Sequence, residues 1–344
     1  MTSFCNPTRM IRLVMVALAL TLTAHEADAQ RKAGRSGAAF LKVGVGARAA
    51  ALGSAATAFN GDANQIFWNP AGTALDPDQT LSASFSYNQW IADLSHSAAA
   101  VGYNLGNAGT ATIGFQVFGL SDISANRQNG YTDPILQELV TDNETSSTFN
   151  FQNVSLNAAY SRFFFDRLAL GAGVKLISES IDSETATAVA FDFGSMYRVG
   201  VAGWQLSARV SNLGTPLTFF NQDNPLPITF SIGSTIYPVS TETARLMVAV
   251  DATKPIDAQQ LFYGGAELSL YDLVFIRGGY KFNYTGVDDG GTSVRDAVDT
   301  SIEGASLGAG IQAPVSGYIV GFDYAFTQMD LLDNTHRFTL SLGL

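Results

Sequence analysis

Residue types able to do chemistry are sparse in this chain and poorly grouped. It has 344 residues, with histidine only at His25, His96 and His336 and a single cysteine, Cys5. A metal site needs three or four converging nitrogen, sulfur or oxygen ligands, and well-separated histidines without cysteine do not supply them. Gly304-Ala-Ser306-Leu-Gly308 matches a serine nucleophile elbow, and Asp323 and His336 follow in triad order. That elbow needs a sharp turn from strand to helix. Ser306 instead sits mid-run in Ile302 to Ile311, with no helical pattern after it, so a glycine-rich inward strand is the better reading. Gly44-Val-Gly46-Ala-Arg48-Ala49 matches a phosphate-cradling fingerprint, yet no crossover to a parallel strand follows. Asp288-Asp-Gly-Gly291 lacks the spaced carboxylates of a calcium loop and reads as a solvated acidic tip. No constellation supports an enzyme, and no cofactor is expected.

The informative charges are those that interrupt apolar runs. Asp192 lies between Phe191 and Phe193; Asp251, Glu267, Lys175 and Arg277 sit in similar company. In a lipid-facing strand a basic residue at the midplane costs about 2–4 kcal/mol, and an acid less. Alternation turns these charges the other way, toward a lumen. Two readings stay open for Lys175, Asp192, Asp251 and Arg277: a paired interior network, which is favoured, or the lining of a pore or ligand path.

The elements that would position them follow from one pattern. In Leu81 to Asn88, Leu81, Ala83, Phe85 and Tyr87 share one face while Ser82, Ser84, Ser86 and Asn88 share the other. The last run, His336 to Leu344, does the same. Period two means a strand with one apolar and one polar face. Fourteen such runs are predicted from Thr80 onward, near 81–91, 95–105, 109–120, 149–161, 168–179, 186–198, 203–212, 227–238, 243–252, 258–269, 271–283, 302–312, 315–328 and 335–344. The fold class expected is all-β: a transmembrane antiparallel β-barrel of about 14 strands with an N-terminal plug segment. The long connections 121–148, 213–226 and 284–301 follow the third, seventh and eleventh strands. They therefore share one end of the barrel, as the outer loops of bacterial barrels do. Aromatic residues gather near strand ends, as interfacial belts require; a soluble sandwich or propeller would place them in its core instead.

Composition narrows the class. Charged residues make up 14%, against about 25% in typical soluble domains. The net charge of −11 argues against nucleic acid, whose phosphates demand basic patches. Residues 1–29 read as a signal peptide: basic Arg9 and Arg12, the apolar core Leu13 to Leu20, and cleavage after Ala29. The mature chain then has no cysteine and needs no disulfides. Residues 30–79 lack period-two alternation, are rich in small residues, and read as a plug, with a short helix predicted near 47–59 and weakened by Gly53. Residues 80–344 form the barrel. The localisation expected is a Gram-negative outer membrane, with its lipid as one partner.

Val43-Gly-Val-Gly46-Ala-Arg48-Ala-Ala50, followed by Ile66-Phe-Trp-Asn69-Pro70-Ala71-Gly72, resembles the amino-terminal signature of the PorV/PorQ family, itself related to FadL-type transporters. Phe191 to Gly194, Ser211 to Gly214, Arg277 to Tyr280 and Gly321 to Tyr324 resemble it too. The resemblance implies a fourteen-stranded outer-membrane barrel whose Gly46, Arg48, Asn69, Pro70, Ala71 and Gly72 belong to a gating plug. It implies a non-enzymatic role in type IX protein secretion, with secretion components and carboxy-terminal cargo signals as partners. The alternative is a FadL-like channel for hydrophobic small molecules such as long-chain fatty acids, favoured by the plug and by the apolar loop Pro216 to Phe220.

Overall fold

A computed structural model describes residues 36–125, 147–258, 260–282, 303–329 and 333–344. The expected signal peptide, the centre of loop 121–148, loop 284–301 and its Asp288 to Gly291 tip lie outside the described residues.

Fourteen strands close into one antiparallel barrel. They are β1 (Leu81–Gln89), β2 (Ser95–Asn104), β3 (Thr110–Ala125), β4 (Ser147–Phe164), β5 (Leu168–Ile181), β6 (Glu184–Arg198), β7 (Gln205–Gly214), β10 (Thr229–Ser240), β11 (Ala244–Pro255), β12 (Leu261–Leu270), β13 (Val274–Phe282), β14 (Ala305–Val315), β15 (Tyr318–Thr327) and β16 (Thr335–Gly343). Between β7 and β10, the short strands β8 (Leu217–Phe219) and β9 (Gln222–Asn224) form a separate hairpin. The barrel closes where β1 pairs with β16, with Phe85 opposite Leu340. Along each strand the apolar set, such as Phe85, Ile113, Leu156, Phe191, Ile276 and Leu340, stands exposed on the outside. The polar set, such as Ser84, Thr112, Ser155 and Asp192, is buried in the lumen.

The turns after β4 and β12 hold paired residues at positive φ, Phe165–Asp166 and Tyr271–Asp272. This is the hairpin geometry whose twist matches that of its strands. These tight turns share one end of the barrel, here the turn end; the wider connections share the other, the loop end.

Three expectations about local structure change. The strands β3 and β4 run past the predicted edges at 120 and 149, so the connection between them is shorter than predicted. The connection after β7 contains the unforeseen hairpin β8–β9, because runs of three residues are too short to show a period. The helix predicted near 47–59 spans only Ala47–Ala51. Its end is a Schellman cap, with Ser54 N–H donating to Ala49 O at 2.9 Å and Gly53 N–H to Ala50 O at 3.0 Å. Gly53, at φ +64°, makes that reversal.

Residues 36–79 run through the lumen from the loop end to the turn end. Ser36 and Lys42 reach Asp257 in the β11–β12 connection at the loop end, and Thr80 N–H bonds Leu344 O at the turn end. The helix Ala47–Ala51 packs on β13 to β16, the 3-10 turn Ala63–Phe67 on β1 to β4, and the 3-10 turn Pro70–Thr73 on β4 to β6. Inward glycines let backbone meet backbone. A Cβ built on Gly265 would stand 2.6 Å from Leu52 O, one on Gly114 2.9 Å from Ile66, and one on Gly233 2.8 Å from Thr57 Cβ. Gly171, Gly194, Gly279 and Gly308 lie against Pro70, Asn69, Leu52 and Ala51 in the same way.

Gly279→Ala is expected to destabilise the filled barrel by about 1–3 kcal/mol, the ordinary cost of overpacking. Its neighbour Gly278 faces outward, with the nearest other side chain 3.6 Å from a built Cβ, so Gly278→Ala is expected to be near neutral. Urea unfolding of the reconstituted protein, comparing the two variants, checks this.

Candidate functional site

The lumen is a set of polar wall residues that satisfy an irregular chain. Buried backbone N–H groups need acceptors, and the strands supply them from inward positions. Ala47 N–H donates to Thr339 Oγ1 at 2.8 Å, Thr57 N–H to Asp251 Oδ2 at 2.8 Å, Ala63 N–H to Ser82 Oγ at 2.9 Å, and Leu75 N–H to Thr110 Oγ1 at 3.1 Å.

Of the residues singled out in the segment, Gly46 (φ +92°) precedes the short helix. Arg48 projects from that helix and makes a bidentate pair with Glu267, at 2.8 and 2.9 Å. Asn69 is fully buried and caps the turn Pro70–Thr73, its Oδ1 accepting from Ala71 N–H at 3.0 Å while its Nδ2 donates to Thr57 O at 2.8 Å. Pro70 occupies the first position of that turn, where its missing N–H costs nothing. Ala71 and Gly72 are buried against β4 to β6.

The four singled-out wall charges all face the lumen and divide into separate groups. Lys175 pairs with Asp192 at 2.7 Å, and both reach Asn212, which sits at positive φ in a bulge of β7. Asp251 holds the segment at Thr57. Arg277 bonds both Glu267 and Asp323, extending the Arg48 pair into a ladder of alternating charge. The ladder borders a chamber of about 680 Å³ at the turn end, also lined by Asp62, Gln79 and Gln312. Glu267 and Asp323 complete this ladder. Period two alone marks both as inward, but no sequence pattern names their partner across the lumen.

The loop end is different in kind. Phe40, Leu217 and Leu226 are almost fully buried there against Phe118, Ile177 and the inward alanines of β6, with Trp90, Leu94 and Phe151 around them. Phe40 stacks on Phe118, ring centres 6.4 Å apart, and Phe151 meets Phe118 edge-on at 6.4 Å. The hairpin β8–β9 closes over this cluster: Leu217 from the loop Pro216 to Phe220 points in, whereas Phe220 at its tip is exposed. Gly37 N–H bonds Pro225 O at 3.0 Å and Ala38 N–H bonds Glu179 Oε2 of β5 at 2.9 Å, so the segment is fastened beside the hairpin and to the wall.

The chain is similar to solved barrels of one kind. The toluene transporter TbuX of Ralstonia pickettii superposes with a TM-score of 0.51 at 12% identity, covering 87% of this chain and 98% of that one. A Pseudomonas aeruginosa FadL homologue gives 0.52 at 11%, covering 84% and 95%. The monoaromatic hydrocarbon channel TodX, as a deletion mutant, gives 0.55 at 11%, covering 87% and 97%. The fold is that of the FadL-like barrels. No family model matches the sequence, and no curated protein matches it either. Ser306 lies within β14 with no helix after it, so the nucleophile-elbow geometry does not form.

Two consequences are measurable. Glu267→Gln removes the buried carboxylate shared by the buried Arg277 and the half-buried Arg48, and breaking such a pair costs about 3–5 kcal/mol. The expected result is lower stability together with raised ion conductance in planar bilayers, as the helix Ala47–Ala51 loosens from β12. At the loop end, burial alone would raise the Asp257 carboxyl, but the bonds from Lys42 and Ser36 outweigh it and hold the carboxyl below the usual range. A depressed carboxylate contributes stability that is present above its unfolded value, about 4, and is lost as pH falls through its folded value. Hydrogen exchange at residues 36–43 is expected to quicken as acid is added below that range, and Asp257→Asn to abolish the pH step.

Proposed function

We propose that this chain is a channel of the bacterial outer membrane that admits hydrophobic small molecules. In this reading residues 1–29 are the signal peptide, removed after Ala29. Residues 30–79 are the plug, with Gly46, Arg48 and Asn69 to Gly72 holding its gate, and residues 80–344 are the barrel. The observation that carries it is the aromatic and aliphatic cluster inside the loop end of a lumen otherwise lined with polar groups. A sealed structural barrel has no use for a cluster of rings under its mouth, whereas a path for hydrocarbons or fatty acids begins with one. The similarity to barrels described as toluene and monoaromatic hydrocarbon channels supports the same reading. The type IX secretion role implied by the PorV/PorQ resemblance finds no support in those comparisons, and the alternative drawn from the same amino-terminal segment fits them better.

Expression of the full chain in a strain lacking its own hydrophobic-compound channels tests this. Uptake of radiolabelled toluene or oleate is expected to rise above the vector control. Phe40→Ala removes the ring that fills the cluster, a truncation worth about 3–5 kcal/mol, and is expected to raise uptake further. Uptake equal to the vector control for both compounds would sink the proposal.

A further inference from the structure

One cation in the lumen differs from the other lumen cations described. Arg48, Lys175, Arg198, Arg277 and Lys281 each pair with a carboxylate, and Arg209 donates to Trp68 O. Arg337 is only 3% exposed, faces inward from β16, and has no hydrogen bond or ion pair among the described residues. Its guanidinium lies 5.3 Å from the Trp90 ring centre. Directly opposite in the β1–β16 register stands Asn88, buried, with neither its amide oxygen nor its amide nitrogen bonded. An isolated buried charge is strongly disfavoured unless something pairs with it. An orphaned guanidinium beside an orphaned amide N–H₂ is the donor set for a carboxylate.

The row continues in register across the wall. Asn88 faces His96 on β2, and His96 faces Phe118 on β3. The His96 ring meets Phe118 edge-on at 5.7 Å, and Phe118 carries the Phe40 ring. From Arg337 to Phe118 is therefore three strand spacings, about 14 Å between backbones, with the Arg337 guanidinium over Trp90. One row of the wall therefore carries both the donors for a carboxylate and a stacking partner for a ring. The phenyl group in the box already shows which shape it accepts.

We propose that the loop end of the lumen binds an aromatic carboxylate, with its carboxylate on Arg337 and Asn88 and its ring on Phe118 in place of Phe40. The inference rests on the channel reading above and names the substrate class that this chain prefers. A neutral hydrocarbon would fill the ring box and leave Arg337 unpaired; a straight-chain acid would pair with Arg337 and leave the rings without a stacking partner.

Calorimetric titration of the purified full chain in detergent tests it, with 3-phenylpropionate, toluene and decanoate as probes. The expected order has 3-phenylpropionate tightest. Arg337→Gln is expected to weaken 3-phenylpropionate about tenfold or more, as loss of a charged hydrogen-bonded pair does, while leaving toluene unchanged. Asn88→Ala, a milder change kept in case the first variant fails to assemble, is expected to weaken the acid several-fold and spare toluene. Decanoate binding as tightly as 3-phenylpropionate, or acid binding indifferent to both substitutions, overturns the inference while toluene uptake leaves the channel reading standing. Absence of binding by all three probes, joined with absence of uptake, overturns both.

Discussion

The structure depends on how a lumen enclosed by fourteen strands can be filled. Barrel diameter grows with strand number, and an eight-stranded barrel is already just wide enough for its own side chains to fill. Here the remaining space takes a length of main chain, residues 36–79, most of it irregular. Irregular backbone at membrane depth is tolerated only where protein or water satisfies it. The wall meets that demand with hydroxyls and carboxylates aimed at single N–H groups. It meets the steric demand with inward glycines at the points of closest approach, as where Gly265 and Gly279 lie on Leu52. The small residues of the segment, such as the alanines of Ala47–Ala51, are the other half of that fit.

Charge inside the barrel follows from the same demand. A carboxylate turned away from lipid still needs a partner, and the lumen provides one by three routes. Asp192 takes a lysine from the next strand, Asp251 takes a backbone N–H from the segment, and Glu267 takes two guanidiniums, one from the segment and one from the wall. The third arrangement adds charge to the packing of Ala47–Ala51 and Leu52 on that wall, beside an open chamber.

Most of the barrel was legible in the sequence because period two is a local signal, repeated in every strand. Strand number, the parity of long connections and the inward direction of Lys175, Asp192, Asp251 and Arg277 all follow from it. Three features escaped, each for a physical reason. The helix at Ala47 stops at its Gly53 cap, which lies against the Tyr280 backbone, and only the tertiary fold places that wall. The hairpin β8–β9 is too short to show alternation. The partners Arg48–Glu267 and Asp251–Thr57 join residues about two hundred positions apart across a lumen, and periodicity sets facing but not pairing.

Polarity along the lumen gives the fold a direction. At the loop end, rings and alanines surround Phe40, and water gains little by entering. At the turn end, the chamber beside Arg48 and Asp323 is lined by charge and amide. A hydrophobic solute is held best at the first and poorly at the second, so a straight path through the second is unfavourable unless the solute carries a polar group of its own. Asn69 and the turn Pro70–Thr73 lie on the opposite wall from that chamber, against β4 to β6, where the turn's backbone bonds run to Asn69, to its own residues and to Gly61. On the side of β12 to β15 the ion-pair ladder stands beside open volume, while the helix Ala47–Ala51 and Leu52 pack closely on the inward glycines. The segment is thus held on both walls, by packing and charge beside the chamber and by packing and its own cap at the Asn-Pro-Ala turn.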